Sequence, residues 1–324
     1  TFEDYHQANP SIHMCSREDA FKNDVVIVLR SPELKEYDLL PKGTILFSML
    51  HYPTRPKRVE KLGKLGVRAI SMDSVVNDID IRLVENMHAV AWNGLEAAFD
   101  VLEGSFPGLK RDEPFRVLIL GTGMVGKHAV DAGSKLGVIE RNNQHILDGG
   151  PGSISLAVGR NVTQNPDLMK KLFQETDVLV DAAQRRDTSK PIIPNEWLAW
   201  LPEHAVVTDL AVDPYTFDID PPVVRGIEGI PQGNLDKYVF KADDPEWDKR
   251  VPASVASKQR RTVVSCYSWP GIHPEVCMRH YALQVEALME VLLETGYDGL
   301  SLRGGYFERA LYRASLKGWV EAHS

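Results

Sequence analysis

Three glycines at a fixed spacing stand near the middle of the chain, in the run Gly121-Thr122-Gly123-Met124-Val125-Gly126. The run follows the largely apolar segment Phe115–Leu120 without a gap and precedes residues 127–136, which have helical spacing. In such a strand, loop and helix, the first glycine permits a tight turn, the second lets a diphosphate approach the backbone, and the third lets helix and strand pack closely. The amino end of the helix offers N–H groups to the phosphates. The sequence therefore predicts a loop that binds a dinucleotide through all six residues.

An arginine stands where the type of dinucleotide is usually decided. The second strand of such a unit commonly ends in Asp or Glu, which bonds the ribose 2′-hydroxyl of NAD. Here the predicted strand Ser153–Val158 is followed by Gly159 and Arg160. A guanidinium holds a 2′-phosphate with two hydrogen bonds, whereas a carboxylate repels it. We therefore expect NADP rather than NAD as the cofactor, unless Arg160 is only a solvated loop residue.

The segments around this loop alternate between strand-like and helix-like patterns. Short β-branched runs predict strands at residues 24–29, 44–50, 67–71, 115–120, 153–158, 178–181, 205–210 and 262–266. Apolar residues at helical spacing predict helices at residues 58–65, 87–102 and 280–293, whereas residues 214–261 show no clear pattern. This alternation is typical of α/β proteins with parallel sheets.

The order of these segments predicts two α/β domains with an active-site cleft between them. We expect residues 1–104 to form a catalytic and substrate-binding domain, completed by C-terminal helices within residues 272–324. Residues 105–271 are expected to form a Rossmann domain that binds NAD(P).

The composition excludes several functional classes. The 324 residues carry a formal net charge of −8, which argues against the basic surface that nucleic-acid binding needs. No apolar run approaches the ~20 residues of a membrane helix, and the polar amino terminus lacks the pattern of a signal peptide. Three widely spaced cysteines, Cys15, Cys266 and Cys277, predict neither a disulfide framework nor a metal site. We expect a cytoplasmic protein.

Several stretches, taken in order, resemble the alanine dehydrogenase and pyridine nucleotide transhydrogenase family, which also includes the saccharopine and N5-carboxyethyl-ornithine dehydrogenases. They are the glycine loop and residues 26–34, 44–51, 87–104, 206–213 and 268–271. Only the glycine loop is specific by itself, and the shared order carries the resemblance. The resemblance implies a nicotinamide-dependent oxidoreductase that acts on an amino acid.

The resemblance assigns catalytic roles to three residues. His51 matches the proton-transferring histidine, and imidazole is suited to both giving and taking a proton near neutral pH. Asp209 matches the aspartate that orients the water or ammonia attacking the imine carbon. Arg30 stands where the family has a lysine that holds the substrate. Arginine still binds a carboxylate but does not act as a proton shuttle, because its pKa is too high. The alternatives are a structural histidine and a surface ion pair of Arg30.

The amino-terminal strand that carries the family's carboxylate-binding arginine has no counterpart in this sequence, which leaves open whether a strand is missing. Without it, Arg30 and Arg55 are the candidates that hold the substrate carboxylate, although Arg55 could equally be solvated.

The turn Trp269-Pro270-Gly271 resembles a family turn near the nicotinamide. We expect Gly271 to let the backbone approach the cofactor and Trp269 to pack on it, although a tryptophan in a turn is usually a core residue. His273 and Cys277 have the spacing of two metal ligands, but no third ligand is evident, so no metal site is predicted.

These expectations combine into one reaction and two alternatives. The expected reaction transfers hydride between the α-carbon of an amino acid and NAD(P), with a 2-oxo acid and ammonia as products. The first alternative is an opine-type enzyme, in which an amino acid replaces ammonia. The second is an NADP-binding sensor without catalysis. Small-molecule substrates, no nucleic-acid or membrane partner, and possible homo-oligomers are expected.

Overall fold

The computed structural model describes residues 2–323. The chain forms two compact units. Unit 1 contains the residues up to Glu85 and those from Met278 onward, and unit 2 contains the residues from Asn86 to Cys277. The α/β class predicted from the sequence is confirmed, with a parallel sheet in each unit.

The strands are β1 (Val25–Arg30), β2 (Ile45–Met49), β3 (Arg68–Ser71), β4 (Phe115–Leu120), β5 (Ser153–Val158), β6 (Val178–Asp181), β7 (Val206–Asp209), β8 (Val239–Phe240) and β9 (Thr262–Ser265). The α-helices are α1 (Phe2–Ala8), α2 (Arg17–Ala20), α3 (Pro56–Leu65), α4 (Met87–Glu103), α5 (Met124–Ser134), α6 (Ile139–Leu147), α7 (Arg160–Thr163), α8 (Pro166–Phe173), α9 (Trp247–Arg250), α10 (Pro274–Thr295), α11 (Tyr306–Ala314) and α12 (Leu316–His323).

Unit 1 is built on the parallel sheet β1-β2-β3. Alternate residues of β2 point to opposite faces, so Leu46 and Phe47 enter two different cores. On one face Leu46 packs with residues such as Tyr37 and Leu62. On the other face Phe47 packs with Leu288 of α10 and other residues of the carboxyl-terminal helices. The sheet therefore holds the carboxyl ends of its strands rigidly between two apolar layers.

Unit 2 contains a six-stranded sheet in the order β5-β4-β6-β7-β9-β8, in which only β8 runs antiparallel to its neighbour. The chain passes from β4 to β5 on one side and then returns to β6 on the other side of β4. The strand order therefore reverses at β4. In open α/β sheets, ligands bind in the crevice beyond the carboxyl ends of the strands at such a reversal.

Helix α4 belongs to unit 2, whereas our predicted boundary placed it before the dinucleotide domain. Its buried residues pack against the sheet, and the rings of Phe99 and Phe115 meet edge to face with centroids 6.2 Å apart. A Cβ atom on Gly94 would lie 2.3 Å from a Leu210 methyl carbon, so this glycine permits the close approach of helix and strand.

Strand β5 forms one edge of the unit 2 sheet. Its side chains Ile154 and Leu156 are 56% and 47% exposed. Among the helices of residues 2–323, none combines the length and the apolar character that crossing a bilayer requires.

Candidate active site

The glycine loop lies at the strand reversal in unit 2, and its first glycine is required by the fold. Gly121 has a φ of +116°, in the region that favours glycine. A Cβ atom at this position would lie 2.6 Å from the carbonyl oxygen of Ala182, the residue after β6. The loop therefore passes directly against the backbone of the neighbouring strand.

The other two glycines meet opposite environments. A Cβ atom on Gly126 would lie 2.2 Å from the carbonyl oxygen of Gly121, so the third glycine lets α5 fold back on the loop. By contrast, no described atom lies within 4 Å of a Cβ placed on Gly123. Gly123 is also the N-cap of α5, and because it has no side chain, it does not cap the first N–H groups of the helix. The space beside Gly123 and the amino end of α5 suits a diphosphate.

Helix α5 begins at Met124, earlier than the sequence predicted, so Met124 and Val125 form its first turn. Thr122 and Met124 are exposed beside the open space at Gly123. Four loop positions thus surround one open, positively polarised helix end.

Arg160 lies at the carboxyl end of the strand next to the loop. Strand β5 pairs with β4 so that Val158 faces Leu120, and Gly121 donates its N–H to the carbonyl oxygen of Val158 at 2.9 Å. Arg160 follows two residues later as the exposed first residue of α7. Because the register is fixed in this way, Arg160 stands where the second strand of a dinucleotide unit presents its ribose-binding residue.

His51 lies in unit 1, just beyond the carboxyl end of β2, and is paired with Asp73. The Nδ1 atom of His51 lies 3.3 Å from Oδ2 of Asp73, and the backbone N–H of His51 donates to Oδ1 at 3.1 Å. The imidazole is 52% exposed, whereas the carboxylate is 7% exposed. His51 has a φ of +52°, which is uncommon for a residue other than glycine and indicates a position held by its surroundings.

Ser71 contacts both Asp73 and the backbone next to His51. The Ser71 hydroxyl donates to Oδ1 of Asp73 at 2.7 Å and accepts the N–H of Leu50 at 3.2 Å. Burial raises the pKa of the Asp73 carboxyl, but hydrogen bonds from His51 and Ser71 and the adjacent imidazole lower it more, so the net pKa lies well below its usual value. Asp73 is therefore an ionised carboxylate that orients the imidazole.

The two candidate carboxylate-binding arginines lie on either side of His51 in the sequence. Arg30 is the last residue of β1 and is exposed. Arg55 follows the turn after His51, and its guanidinium donates to the carbonyl oxygen of Thr54 at 3.0 Å. Both lie near the carboxyl ends of neighbouring parallel strands of unit 1.

Asp209 belongs to a row of polar residues at the carboxyl edge of the unit 2 sheet. Asp181, Asp209 and Ser265 end three adjacent strands in register. Above the row, Arg225 forms an ion pair with Asp209 and donates to the Ser265 hydroxyl at 3.0 Å. Asp209 and Arg225 are 2% and 1% exposed.

The oxygens of Asp209 are occupied by groups of the protein itself. Oδ1 accepts the N–H of Val212 at 2.9 Å, and Oδ2 accepts from Arg225 and from the Ser265 hydroxyl at 3.0 Å. The side chain of Asp213, four residues after Asp209, is 23% exposed and pairs with Arg185. The segment after β7 therefore presents Asp213, rather than Asp209, to its surroundings.

Trp269 differs from our expectation that it would pack on the cofactor. Its ring is 1% exposed and lies in the apolar core with α4. Its indole N–H donates to the carbonyl oxygen of Asp209 at 2.7 Å, and the side-chain amide of Asn93 donates to the carbonyl oxygen of Trp269 at 2.9 Å. Pro270 is buried as well, and Gly271 approaches Ser268 and Leu235. The turn thus fixes the end of β7, because a buried tryptophan N–H needs an acceptor.

Sequence reasoning missed Asp73, Ser265 and Arg225. Asp73 lies 22 residues after His51 and follows a different strand, so only the parallel pairing of β2 with β3 brings them together. Arg225 lies in the segment for which no pattern was found. The one available signal was the polar residue at the end of each apolar strand, which in parallel sheets gathers at one edge.

Comparison with known proteins identifies relatives of the chain. Residues 1–91 match the family "Alanine dehydrogenase/PNT, N-terminal domain". An alanine dehydrogenase of Methanococcus maripaludis is 24% identical over 233 residues, which cover 66% of this chain and 60% of that protein. An alanine dehydrogenase of Bacillus subtilis is 26% identical over 208 residues, covering 59% of this chain and 53% of that protein. The matched part thus spans less than two thirds of these relatives.

Two solved structures share the fold. An L-alanine dehydrogenase superposes with a TM-score of 0.67 at 20% identity, covering 97% of this chain and 82% of that one. A transhydrogenase from Sinorhizobium meliloti superposes with a TM-score of 0.55 at 14% identity, covering 96% and 82%. The amino-terminal match, the relatives and the shared fold agree with the residues that first suggested the resemblance. Residues 1–91 of the chain thus match the amino-terminal domain of the alanine dehydrogenase and pyridine nucleotide transhydrogenase family, and the whole chain shares the fold of two of its members.

Proposed function

We propose that this protein is an NAD(P)-dependent amino-acid dehydrogenase of the alanine dehydrogenase type. The observation that carries the proposal is the glycine loop, in which the first and third glycines serve the fold and the second, Gly123, faces open space. A fold that needed only a tight turn would gain nothing from a glycine at this second position. The chemistry of the relatives named above supports the choice of substrate class.

The residues of unit 2 suit a nicotinamide dinucleotide. The diphosphate would be held by the backbone of the loop residues from Gly121 to Gly126, and Arg160 would hold a 2′-phosphate. This charge favours NADP over NAD. When bound, the dinucleotide supplies the acceptor or donor of hydride.

The residues of unit 1 supply proton exchange and carboxylate binding. His51 would take the proton that is released when the amine is oxidised to an imine and hydrolysed, and would return it in the reverse direction. Asp73 would stabilise the protonated imidazole, since it is ionised and in contact with Nδ1. Arg30 and Arg55 would hold the substrate carboxylate. Asp209 would act mainly by fixing the segment that carries Asp213.

Two measurements test the proposal. Calorimetric titration with NADH and NADPH should show binding of both, with NADPH the tighter. Mixing the protein with NADPH, ammonia and a panel of short 2-oxo acids should then oxidise NADPH in the presence of one or more of these acids. As a matched control, His51→Gln should retain NADPH binding and lose turnover.

Each other outcome contradicts a part of the proposal. Turnover only when an amino acid replaces ammonia identifies an opine-type dehydrogenase. Tight NADPH binding without turnover for any donor and acceptor indicates a sensor. Failure to bind either dinucleotide removes the proposed function altogether.

A further inference from the structure

One buried carboxyl group at the carboxyl edge of the unit 2 sheet lacks a cationic partner. Asp181, the last residue of β6, is 1% exposed. Its Oδ1 accepts the N–H of Ala183 at 3.1 Å, whereas its Oδ2 has no hydrogen-bond partner among residues 2–323. An ionised carboxylate that is buried with an oxygen unsatisfied is strongly disfavoured relative to the neutral acid. The geometry therefore favours a protonated Asp181.

The charged groups that face Asp181 do not supply the cationic partner that an ionised carboxylate would need. Asp209 stands beside it in register on β7, and Arg225 is committed to Asp209. Arg185 is committed to Asp213. Two arginines thus face three carboxyl groups, and charge balance is reached when one of the three carries a proton. Burial raises the pKa of Asp181 to about 6, with Asp213 adding to the rise and the two arginines opposing it.

The backbone at Asp181 also supports the dinucleotide loop. Asp181 pairs in register with Leu120, the residue that precedes the loop. The next residue, Ala182, donates its N–H to the carbonyl oxygen of Leu120 at 2.9 Å and presents its own carbonyl oxygen to Gly121. The Asp181 side chain holds this segment in turn by accepting the N–H of Ala183. A change in the charge of Asp181 therefore acts on the segment that backs the first glycine.

The side chain of Asp181 is also closely surrounded at Oδ2, the oxygen that has no hydrogen-bond partner. A Cβ atom on Gly226 would lie 2.2 Å from Oδ2 of Asp181, so the glycine gives way to the carboxyl group but provides no donor. Asp181 consequently has little room to move when it ionises. The charge state must be accommodated by the surrounding backbone or by proton exchange.

We propose that Asp181 is a positioning residue that couples dinucleotide binding to proton uptake, so that the loop binds most tightly when the Asp181 carboxyl is protonated. This inference rests on the proposed function, because it places the diphosphate at the glycine loop. A diphosphate brings negative charge to the neighbouring strand end, and a nearby anion disfavours ionisation of a carboxyl group. By linkage, a protonated Asp181 then favours the diphosphate to the same extent.

The experiment is calorimetric titration of wild type and Asp181→Asn with NAD⁺ and NADP⁺ between pH 5.5 and 8. Each titration is repeated in two buffers of different ionisation enthalpy, which gives the number of protons taken up. The wild type should take up a fraction of a proton near pH 6 to 7, and its Kd should rise with pH, at most about tenfold per unit for one linked proton. Asp181→Asn should show neither effect with NAD⁺.

Two controls separate Asp181 from other titrating groups. NADP⁺ carries a 2′-phosphate that titrates in the same range. Proton uptake by this phosphate should be equal in wild type and Asp181→Asn, so only the difference between the two proteins is assigned to Asp181. Asp131→Asn, on the exposed surface of α5 where Asp131 pairs with Lys135, should behave as wild type. If Asp181→Asn does not fold, the wild-type titration still tests the inference, because NAD⁺ binding without proton uptake overturns it.

The outcomes distinguish this inference from the proposed function. Binding of NAD⁺ to the wild type without proton uptake overturns the role of Asp181 and leaves the dinucleotide site intact. Equal uptake by wild type and Asp181→Asn overturns it as well. Absence of binding to both dinucleotides overturns the proposed function and the inference together.

Discussion

The carboxylate of Asp73 contacts His51 twice, through the imidazole Nδ1 at 3.3 Å and through the backbone N–H at 3.1 Å. The first contact orients the ring and leaves Nε2 for proton exchange. The second contact fixes the unusual backbone conformation of the residue itself. One buried acid thus sets both the position and the orientation of the candidate catalytic imidazole.

The first prediction concerns this pair. Asp73→Asn should lower kcat for amino-acid oxidation by about tenfold or more, because an amide does not stabilise the imidazolium. His51→Gln should lower kcat by about 10²- to 10⁴-fold, as expected for loss of a general acid–base. Steady-state kinetics measure both, with NADPH affinity as the control that should stay constant. Unchanged turnover in both variants would show that the pair has only a structural role.

The second prediction separates the glycines of the loop. Gly121→Ala should destabilise the protein by at least about 2 kcal/mol, since its φ is positive and its Cβ would meet the backbone at Ala182. Gly123→Ala should change stability by less than about 0.5 kcal/mol, because its Cβ meets only open space. Urea unfolding measures both values.

The variant Gly123→Ala also tests dinucleotide binding. Gly123→Ala should weaken dinucleotide binding at least about tenfold, because the added methyl group occupies the path of the diphosphate. If Gly123→Ala binds as tightly as wild type while it remains folded, the loop does not hold the diphosphate in the proposed way.

The third prediction concerns the choice of dinucleotide. Arg160→Gln should raise the Kd for NADPH by about 10- to 100-fold, which corresponds to about 1.5–3 kcal/mol for hydrogen bonds to a charged group. The Kd for NADH should change little. A parallel loss for both dinucleotides would mean that Arg160 does not read the 2′-position.

The fourth prediction needs no ligand. The pKa of Asp181 in the folded protein is about 6, against 3.8 for the ordinary carboxyl group. Between these values the folded state holds more protons than the unfolded state, so the wild type loses stability as pH rises through this window. Asp181→Asn should therefore become more stable relative to wild type from about pH 4 to pH 6, by roughly 2–3 kcal/mol at most, and the difference should be constant above pH 7. Urea unfolding over this range measures it, and a difference independent of pH would place an ionised Asp181 in the fold.

The fifth prediction distinguishes the two aspartates after β7. Asp209→Asn should destabilise unit 2 by about 3 kcal/mol or more, because it leaves Arg225 buried without a carboxylate. Asp213→Asn should cost less, about 1 kcal/mol, because its side chain is partly exposed. If Asp209→Asn folds as wild type does and loses only turnover, Asp209 has the direct role that the resemblance implied.

Much of the sheet framework follows from the sequence. The strands Phe115–Leu120, Ser153–Val158 and Val178–Asp181 agree with the predicted limits at both ends. Each is a short run in which apolar residues predominate, and Val178–Asp181, whose residues are all buried, requires such a run. The glycine loop could be predicted for the same reason, since its local pattern alone determines its conformation.

The remaining elements depend on contacts between distant residues. Helix α6 has the polar sequence IERNNQHIL and is held by Arg141, which donates to the carbonyl oxygen of Leu136 at 2.8 Å. The segment from residue 214 to 261 contains little regular structure, yet it places Ile230, Phe240 and Trp247 in the core of unit 2. No local pattern signals such burial, because it arises from packing against strands that lie far away in the sequence.

Unit 1 is assembled from two stretches of chain that lie on either side of unit 2 in the sequence. Phe47 and Ile70 share their core with Leu288 and Ala310, so this core stays incomplete while the ribosome is still translating the intervening residues. The nascent amino-terminal sheet then exposes an apolar face to chaperones and proteases, whereas unit 2 is continuous in sequence and is able to close as soon as it emerges. Translation order therefore makes unit 2 the earlier of the two to mature.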